Sequence, residues 1–320
     1  MKKLAISILF LLVGVFVADR LGGMVMWWIN QHTHDTTGPK MKYMVNDMKE
    51  DVLLLGASKC QRHYVSSIIS DTLGMSVYNG GIDATNNIYA HYISLNYVLT
   101  KHTPKIVCLE VLSSDYALTS HTFDAVSFFA PYFGLSERAD SVFRLAGSYW
   151  KYRFSHLYRY NARAVTNIFA LVVNRLEGED HGYLPNPKPT HPVGELLHSD
   201  TPQRIDSVRL GYVQKFVNLC KQKDIKLIFM VSPMYMKVDA DYYSPLKVLA
   251  IQNGIPFLDY HTTGLYLDHP EYFFDKYHLW DQPARSFTSI FASDLKRTLD
   301  SLSIIKNDTV QLKKMSVPYH

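Results

Sequence analysis

The sequence predicts an α/β fold in which five parallel strands form one sheet with helices on both faces. Short apolar runs alternate with longer segments of helical character from residue 51 onward, a pattern that is typical of parallel sheets. The runs are continuously apolar rather than alternating, as in strands that are buried on both faces. Small and polar residues follow most of the runs, which indicates that a strand ends there and the chain turns into a helix.

The five predicted strands cover residues 52–55, 75–78, 105–111, 225–231 and 255–258. The predicted helices cover residues 64–73, 86–99, about 202–221, a segment that ends at Asn253-Gly254, and 282–302. Ligands of such sheets bind beyond the carboxyl ends of the strands. The residues that fall at those ends are Ser58, Gly80, Gly81, Ser113, Ser232 and Asp259. Their convergence predicts a functional site along that edge.

The turn after the first strand carries the strongest candidate for a nucleophile. Residues 52–55 are apolar, Gly56 and Ala57 are small, and Ser58 begins a polar segment that is suited to a helix. The N–H groups of a helix's first turn face any negative charge that develops beside the hydroxyl. A serine hydroxyl is a weak nucleophile until a base takes its proton. The alternative is an ordinary turn serine with no chemical role.

The best candidate for that base lies near the other end of the chain. Asp275 and His278 are three residues apart, a spacing that puts both side chains on one side of a tight turn. The carboxylate can then orient the imidazole, which leaves the other ring nitrogen to accept a proton from Ser58. Because the chain has 14 histidines, this pair alone is a weak signal. Together with the serine turn, it predicts a Ser-His-Asp triad.

Three segments resemble the sequence blocks of the SGNH (GDSL-like) hydrolases. Gly56-Ala57-Ser58 resembles the first block, Tyr78-Asn79-Gly80-Gly81 the second, and Asp275-x-x-His278-Leu279 the last. The resemblance covers residues 50–300 approximately and implies a flavodoxin-like three-layer sandwich. It also implies an oxyanion hole formed by the backbone N–H groups of Ser58 and of Gly80 or Gly81.

The chain departs from the pattern of this family in two places. Ala57 stands where the family has aspartate, and the third block, Gly-x-Asn-Asp, is absent after the third strand, where residues 110–115 read EVLSSD. The amide of the third-block asparagine therefore has no counterpart, and Asn79, Asn86 or Asn87 could supply it instead. A subset of bacterial cell-envelope SGNH-like proteins that acylate or deacylate surface polysaccharides also lacks this block. The chain is more similar to that subset than to the classical esterases.

The favoured function is an exported serine esterase that acts on acyl esters, acetyl esters first, of an envelope or dietary polysaccharide. An O-acyltransferase on a surface glycan would use the same triad with a sugar hydroxyl in place of water. The alternative from another class is a non-catalytic envelope protein that binds a glycan or a protein partner, which the absent third block favours. A phosphate-handling enzyme is less favoured, because no glycine-rich phosphate fingerprint follows Ser58.

Composition and cysteine content exclude other classes. The net charge of +4 and the lack of a long basic run argue against nucleic-acid binding. The three cysteines cannot all pair with one another, and Cys108 and Cys220 fit core positions. Cys60 is an alternative nucleophile close to Ser58, although a buried packing role is favoured. No Cys–His spacing resembles a zinc site, so the sequence predicts no metal and no cofactor.

The N-terminal segment predicts membrane targeting. Lys2-Lys3 precedes the apolar residues 4–18, and a second apolar run covers residues 21–29 after Asp19-Arg20. The two runs together suit an uncleaved transmembrane signal anchor, which is favoured, whereas the first run alone suits a cleaved signal peptide. Both interpretations make the membrane a partner of this segment. Both also place the body outside the cytoplasm, in the cell envelope or periplasm.

The predicted domain organisation has four parts. Residues 1–29 are the targeting segment, 30–50 a polar linker, 51–306 the α/β domain and 307–320 a polar, loose tail. An insertion at residues 116–201 separates the third and fourth strands; its first half is aromatic and helical in character, and its second half is an irregular loop. The aromatic half could line a sugar groove, contact the membrane or a partner, or form a small core of its own.

Overall fold

Residues 1–33, 37–120, 123–161, 163–171, 180–201 and 204–315 are described by a computed structural model. Its strands are β1 Val52–Leu55, β2 Val77–Asn79, β3 Ile106–Glu110, β4 Leu197–Ser199, β5 Lys226–Val231, β6 Met236–Val238 and β7 Phe257–Asp259. Five of them form one parallel sheet in the order β2-β1-β3-β5-β7. This is the flavodoxin-like order, in which the chain changes direction across the sheet between β1 and β3. The predicted fold class is confirmed.

Helices cover both faces of this sheet. The α-helices are α1 Lys2–His32, α2 Thr37–Asn46, α3 Ser58–His63, α4 Ser66–Leu73, α5 Ile88–Val98, α6 Glu137–Leu145, α7 Tyr149–Phe154, α8 Ala164–Ala170, α9 Ser207–Gln222, α10 Ser244–Asn253 and α11 Asp281–Met315. The 3-10 helices are Ser113–Asp115, Asp124–Tyr132, Leu157–Tyr160 and Pro270–Tyr272.

Alternate residues of β1 point into two separate cores. Leu53 and Leu55 pack with side chains of α2, α5, α9 and α10, whereas Val52 and Leu54 pack with those of α4 and α11. All four residues of β1 are buried, which explains why its sequence is apolar without alternation. The sheet is therefore covered on both faces, and its strand ends remain as the place for a site.

The last helix, α11, is hydrogen-bonded to the residues that connect α3 and α4. Thr288 accepts a hydrogen bond from the N–H of Val65 at 3.1 Å and donates one to the carbonyl of His63 at 2.9 Å. The helix continues beyond the predicted end at residue 302, through the predicted tail to Met315, and residues 316–320 lie outside the described part. The last helix of the chain thus fixes the first helical turns after β1.

The segment 30–50 is not the linker that its polar composition suggests. Helix α2 occupies much of it, and Met41, Met44, Val45 and Met48 are buried in the core on one face of the sheet. Their spacing of three and four residues is that of one helix face. This segment is therefore part of the folded body.

Helix α1 is able to cross a membrane by its length and composition, a test that a signal sequence passes as well. Its residues 4–18 are exposed, while Gly23, Met26 and Asn30 are buried against the body.

The insertion between β3 and β5 is built from short helices, α6 to α8, and from two of the 3-10 helices. Its second half, predicted as an irregular loop, contains one short strand. This strand, β4, pairs in parallel with β6, an element that the sequence did not predict. The insertion thus ends in a small two-stranded sheet next to the main one.

We expect Met41→Ala to lower the free energy of unfolding by about 2–5 kcal/mol, because the methionine side chain is 1% exposed and its removal leaves a cavity. The matched control is Ile251→Ala, whose side chain is 80% exposed and whose loss should cost about 0.5 kcal/mol or less. Urea unfolding of both variants measures the difference. Equal stability of the two would contradict the burial of α2.

Candidate active site

The turn after β1 brings Ser58 to the carboxyl edge of the sheet. Helix α3 begins at Ser58, and none of the described side chains caps it. Gly56 allows this sharp turn, because a Cβ atom there would lie 2.5 Å from Cβ of Cys60 and 2.9 Å from Cβ of Glu110. The hydroxyl of Ser58 is thus held beside β3 at the switch point of the sheet, where ligands of such folds bind.

Three side chains predicted as a triad lie in one hydrogen-bonded series. The Nε2 atom of His278 is 2.7 Å from Oγ of Ser58, although the two residues are 220 positions apart. The Nδ1 atom of His278 lies 2.8 and 2.9 Å from the two carboxylate oxygens of Asp275. The structure therefore brings together the predicted nucleophile, base and carboxylate in the order that proton transfer would require.

The carboxylate of Asp275 is stabilised in its charged form. Burial alone would raise its pKa, but hydrogen bonds from the His278 ring and from the N–H of Tyr277 outweigh burial and hold the pKa below the ordinary value of 3.8. A second backbone bond, from the N–H of His278 at 2.9 Å, closes the turn. An ionised Asp275 keeps the proton of the imidazole on Nδ1, so Nε2 faces Ser58 as an acceptor.

The second block holds the turn after β2 against α3. The N–H of Gly80 donates to the carbonyl of Leu54, and the N–H of Gly81 donates to Oδ1 of Asn79, both at 2.9 Å. The amide nitrogen of Asn79 donates to the carbonyls of Cys60 and Tyr64 at 2.7 and 2.8 Å. Both glycine N–H groups and the Asn79 amide are thus engaged inside the protein. This arrangement gives no support to the expectation that they form the oxyanion hole.

The two other asparagines have different surroundings. Asn86 is exposed, and Oδ1 of Asn87 accepts from the N–H of Ala90 at 3.1 Å and so caps α5. A capping role accounts for the oxygen of the Asn87 amide. The N–H of Ser58, at the uncapped start of α3, remains the candidate donor for an oxyanion.

A buried polar network lies directly behind the triad. The Glu110 carboxylate, at the end of β3, is 3.1 Å from Nζ of Lys59 and accepts from the hydroxyl of Ser232 at 2.5 Å. The Ser232 hydroxyl is 2.8 Å from Nδ1 of His63, and Nε2 of His63 accepts from the N–H of Leu279 at 2.8 Å. All four side chains are at most 5% exposed. The network therefore ends at Lys59, which follows Ser58, and at Leu279, which follows His278.

The hydrogen bonds of this network determine the protonation of His63. Because the N–H of Leu279 can only donate, Nε2 of His63 must accept, and its proton sits on Nδ1 and is donated to Ser232. Burial, and then the neighbouring His278, lower the pKa of His63 well below its ordinary value. His63 is therefore a neutral ring that bonds at both nitrogens.

Sequence reasoning predicted that Ser58, Asp275 and His278 meet, as they do, but missed His63 and Glu110 beside them. The sequence predicted Ser232 at the carboxyl edge of the sheet, but it predicted no hydrogen-bond partner for this residue. The other two predicted edge residues have local roles, since Ser113 accepts from the hydroxyl of Tyr242 at 3.2 Å and Asp259 lies 2.8 Å from Nζ of Lys247. The position of His63, five residues after Ser58 in the sequence, is a signal that could have pointed to this residue.

An open cavity of about 350 Å³ adjoins Asp275. Its lining residues are Pro189, Thr190, His191, Pro192, Val193, Phe274, Asp275 and Lys276. Ser58 and His278 are both partly exposed. Within the described part of the chain, no group of three His, Cys, Asp or Glu residues could hold a metal ion.

The thiol of Cys60 is expected to be unreactive. Burial, followed by the charge of Glu110, raises its pKa well above the ordinary value of 9.0, and the side chain is fully buried. Iodoacetamide at mildly alkaline pH should leave the folded protein unmodified and alkylate Cys60 after unfolding in urea, as mass spectrometry of the peptides would show. Rapid alkylation of the folded protein would instead favour Cys60 as the nucleophile.

No protein-family model and no curated protein matches the chain. Among the solved structures that match is a proposed acylhydrolase from Bacteroides fragilis NCTC 9343, which is 14% identical in sequence. The match covers 81% of this chain and 95% of that chain, with a TM-score of 0.38. A similarity at this level does not extend to function, so a functional conclusion depends on the side-chain geometry of the site.

Proposed function

We propose that the protein is a serine hydrolase of the SGNH type that cleaves acyl esters, acetyl esters first, of a polysaccharide. The observation that carries this proposal is the continuous series of hydrogen bonds from Asp275 through His278 to Ser58. A serine within 2.7 Å of an oriented imidazole is an activated nucleophile rather than a turn residue. The non-catalytic alternative offers no reason for this alignment.

In the first half of the reaction, Oγ of Ser58 attacks the acyl carbonyl while Nε2 of His278 takes the hydroxyl proton. Asp275 stabilises the imidazolium that forms. The tetrahedral intermediate collapses when His278 returns the proton to the leaving alcohol oxygen. The products are the free alcohol and an acyl ester on Ser58.

The negative charge of the intermediate needs hydrogen-bond donors. The N–H of Ser58 is the proposed donor, because α3 begins there without a side-chain cap. Since each oxyanion donor contributes about a hundred- to thousandfold in rate, a site with few donors would turn over slowly. We therefore expect modest rates on simple esters.

In the second half, an acceptor attacks the acyl group on Ser58 while His278 takes its proton. The acyl–Oγ bond then breaks as His278 returns that proton to Oγ of Ser58. Water as acceptor completes hydrolysis, and a sugar hydroxyl would make the protein an O-acyltransferase. The choice of an envelope polysaccharide rests on the resemblance of the sequence blocks to cell-envelope SGNH-like proteins. Anchoring by α1, with the body outside the cytoplasm, is part of the same proposal.

We expect Ser58→Ala and His278→Ala each to lower kcat on a nitrophenyl acetate by about ten-thousandfold or more, because each removes a member of the triad. A fluorophosphonate probe should label the parent protein at Ser58, which mass spectrometry can locate. Ser113→Ala is the matched control, because this serine also follows a strand of the same edge but bonds to Tyr242. It should keep the parental rate.

Parental turnover by the Ser58→Ala variant would exclude the mechanism. A protein that neither turns over the ester nor reacts with the probe would instead be a binding protein. Release of acetate from an acetylated glycan, measured with and without added free glycan, separates a hydrolase from a transferase.

A further inference from the structure

An exposed apolar surface lies on the insertion, beside the point where α1 meets the body. We call it the insertion face, formed by Trp150, Phe154 and Leu157, which are 45–71% exposed. The rings of Trp150 and Phe154 stack with centroids 5.6 Å apart, so they present one continuous aromatic surface. Apolar side chains clustered in this way indicate a contact with another apolar phase.

The insertion is attached to α1 by specific bonds. The Asp19 carboxylate accepts from the N–H groups of His156 and Leu157 at 2.8 and 3.2 Å, and from the hydroxyl of Ser155. The guanidinium of Arg20 donates to the carbonyl of Phe154 at 3.2 Å. These bonds fix the insertion face at the level of residues 19–20 of the helix.

Close backbone approach strengthens this attachment. A Cβ atom at Gly23 would lie 2.5 Å from Cβ of His156, so the two segments touch at a position where only glycine fits. Asn30 is buried farther along α1 and accepts from the amide of Asn167 at 3.1 Å. Helix α8 is therefore held to the same helix, about 15 Å farther along its axis.

The surface of α1 continues the apolar character of the insertion face. Its residues 4–18 are exposed in the protein, and with a rise of about 1.5 Å per residue α1 is long enough to span a bilayer. Two exposed basic residues, Lys151 and Arg153, lie between Trp150 and Phe154 in the sequence. Aromatic rings mixed with Lys and Arg are the composition of the membrane–water interface.

We propose that the insertion face lies in the headgroup layer of the bilayer that α1 crosses. The body then contacts the membrane at two places, α1 and the insertion face, which prevents it from swinging freely about a single anchor. Lipid is favoured over a second copy of the chain because the face is continuous with a lipid-exposed helix and carries basic residues that suit anionic headgroups.

Environment-sensitive labels on single introduced cysteines test this proposal in the full chain. The native cysteines are 0–1% exposed, so an added surface cysteine reacts selectively. An NBD fluorophore is placed on Phe154→Cys, on Leu12→Cys within α1, and on Ile251→Cys as the exposed control. The proteins are reconstituted in phosphatidylcholine–phosphatidylglycerol vesicles containing lipids with a doxyl quencher near the headgroup end of the acyl chain.

We expect doxyl lipids to quench the label at residue 154 at least as strongly as that at residue 12, and to leave residue 251 unquenched. Quenching of residue 154 only by aqueous iodide, as for residue 251, would overturn the proposal. Protection of residue 154 from both quenchers would also overturn it and would indicate a protein contact. If doxyl lipids do not quench the label at residue 12, α1 does not lie in the bilayer and the proposal fails. None of these readouts uses catalytic activity.

A second inference comes from the buried network and rests on the proposed function. We infer that His63 is a positioning residue that holds His278 in line with Ser58 through the N–H of Leu279. The 2.8 Å bond to Leu279 fixes the backbone directly after His278, and the bond to Ser232 fixes the ring of His63 in turn. A displacement of His278 by about 1 Å would be costly, because proton transfer depends on its distance from Ser58.

Fluorophosphonate labelling and ester kinetics of three variants test this role. His63→Phe should lower the labelling rate and kcat about ten- to hundredfold, with KM little changed. His63→Gln keeps one donor and one acceptor and should retain most of the rate. Ser232→Ala, which removes only the far bond, should show a smaller loss and serves if His63→Phe does not fold.

A folded His63→Phe protein with the parental labelling rate would overturn the inference. So would a rise in KM alone, or equal losses in His63→Phe and His63→Gln, because a positioning role depends on the hydrogen bonds. If the parent protein itself did not react with the probe, the proposed function would fail instead. The two failures are therefore distinguishable.

Discussion

The rest of the site depends on the contacts that the buried carboxylate of Glu110 makes with Lys59 and Ser232. This carboxylate lies 1% exposed at the end of β3, between Nζ of Lys59 and the hydroxyl of Ser232. Lys59 follows Ser58 in the chain, and Ser232 leads through His63 to the backbone after His278. The buried Glu110 carboxylate is thus connected both to the residue after Ser58 and to the residue after His278. Because an uncompensated charge at such depth would cost several kcal/mol, all its partners must be in place when the domain is folded.

The sheet and the meeting of Ser58 with Asp275 and His278 could be predicted because their signals are local. A continuous apolar strand that ends in small residues and a serine, and an aspartate three residues before a histidine, can each be found within a short window. The network behind them could not, since Glu110 and Ser232 are 122 positions apart and only the folded sheet aligns their strand ends. Helix α2 was missed for another reason. The helical spacing of Met41, Met44 and Val45 was visible, but the polar residues around them dominated the composition.

The second block shows how a resemblance in sequence can have a structural meaning of its own. The Asn79 side chain bonds to two carbonyls of the first helical turns and to the N–H of Gly81. Its role is to hold the turn after β2 against the helix that carries Ser58.

The distance along the chain between Ser58 and His278 has a consequence for biogenesis. A polypeptide synthesised from its N-terminus presents the serine 220 positions before the imidazole. Until β7 and the segment after it have folded, the Ser58 hydroxyl has no imidazole beside it. A polypeptide that ends anywhere before residue 278 therefore contains the serine turn without its hydrogen-bond partner.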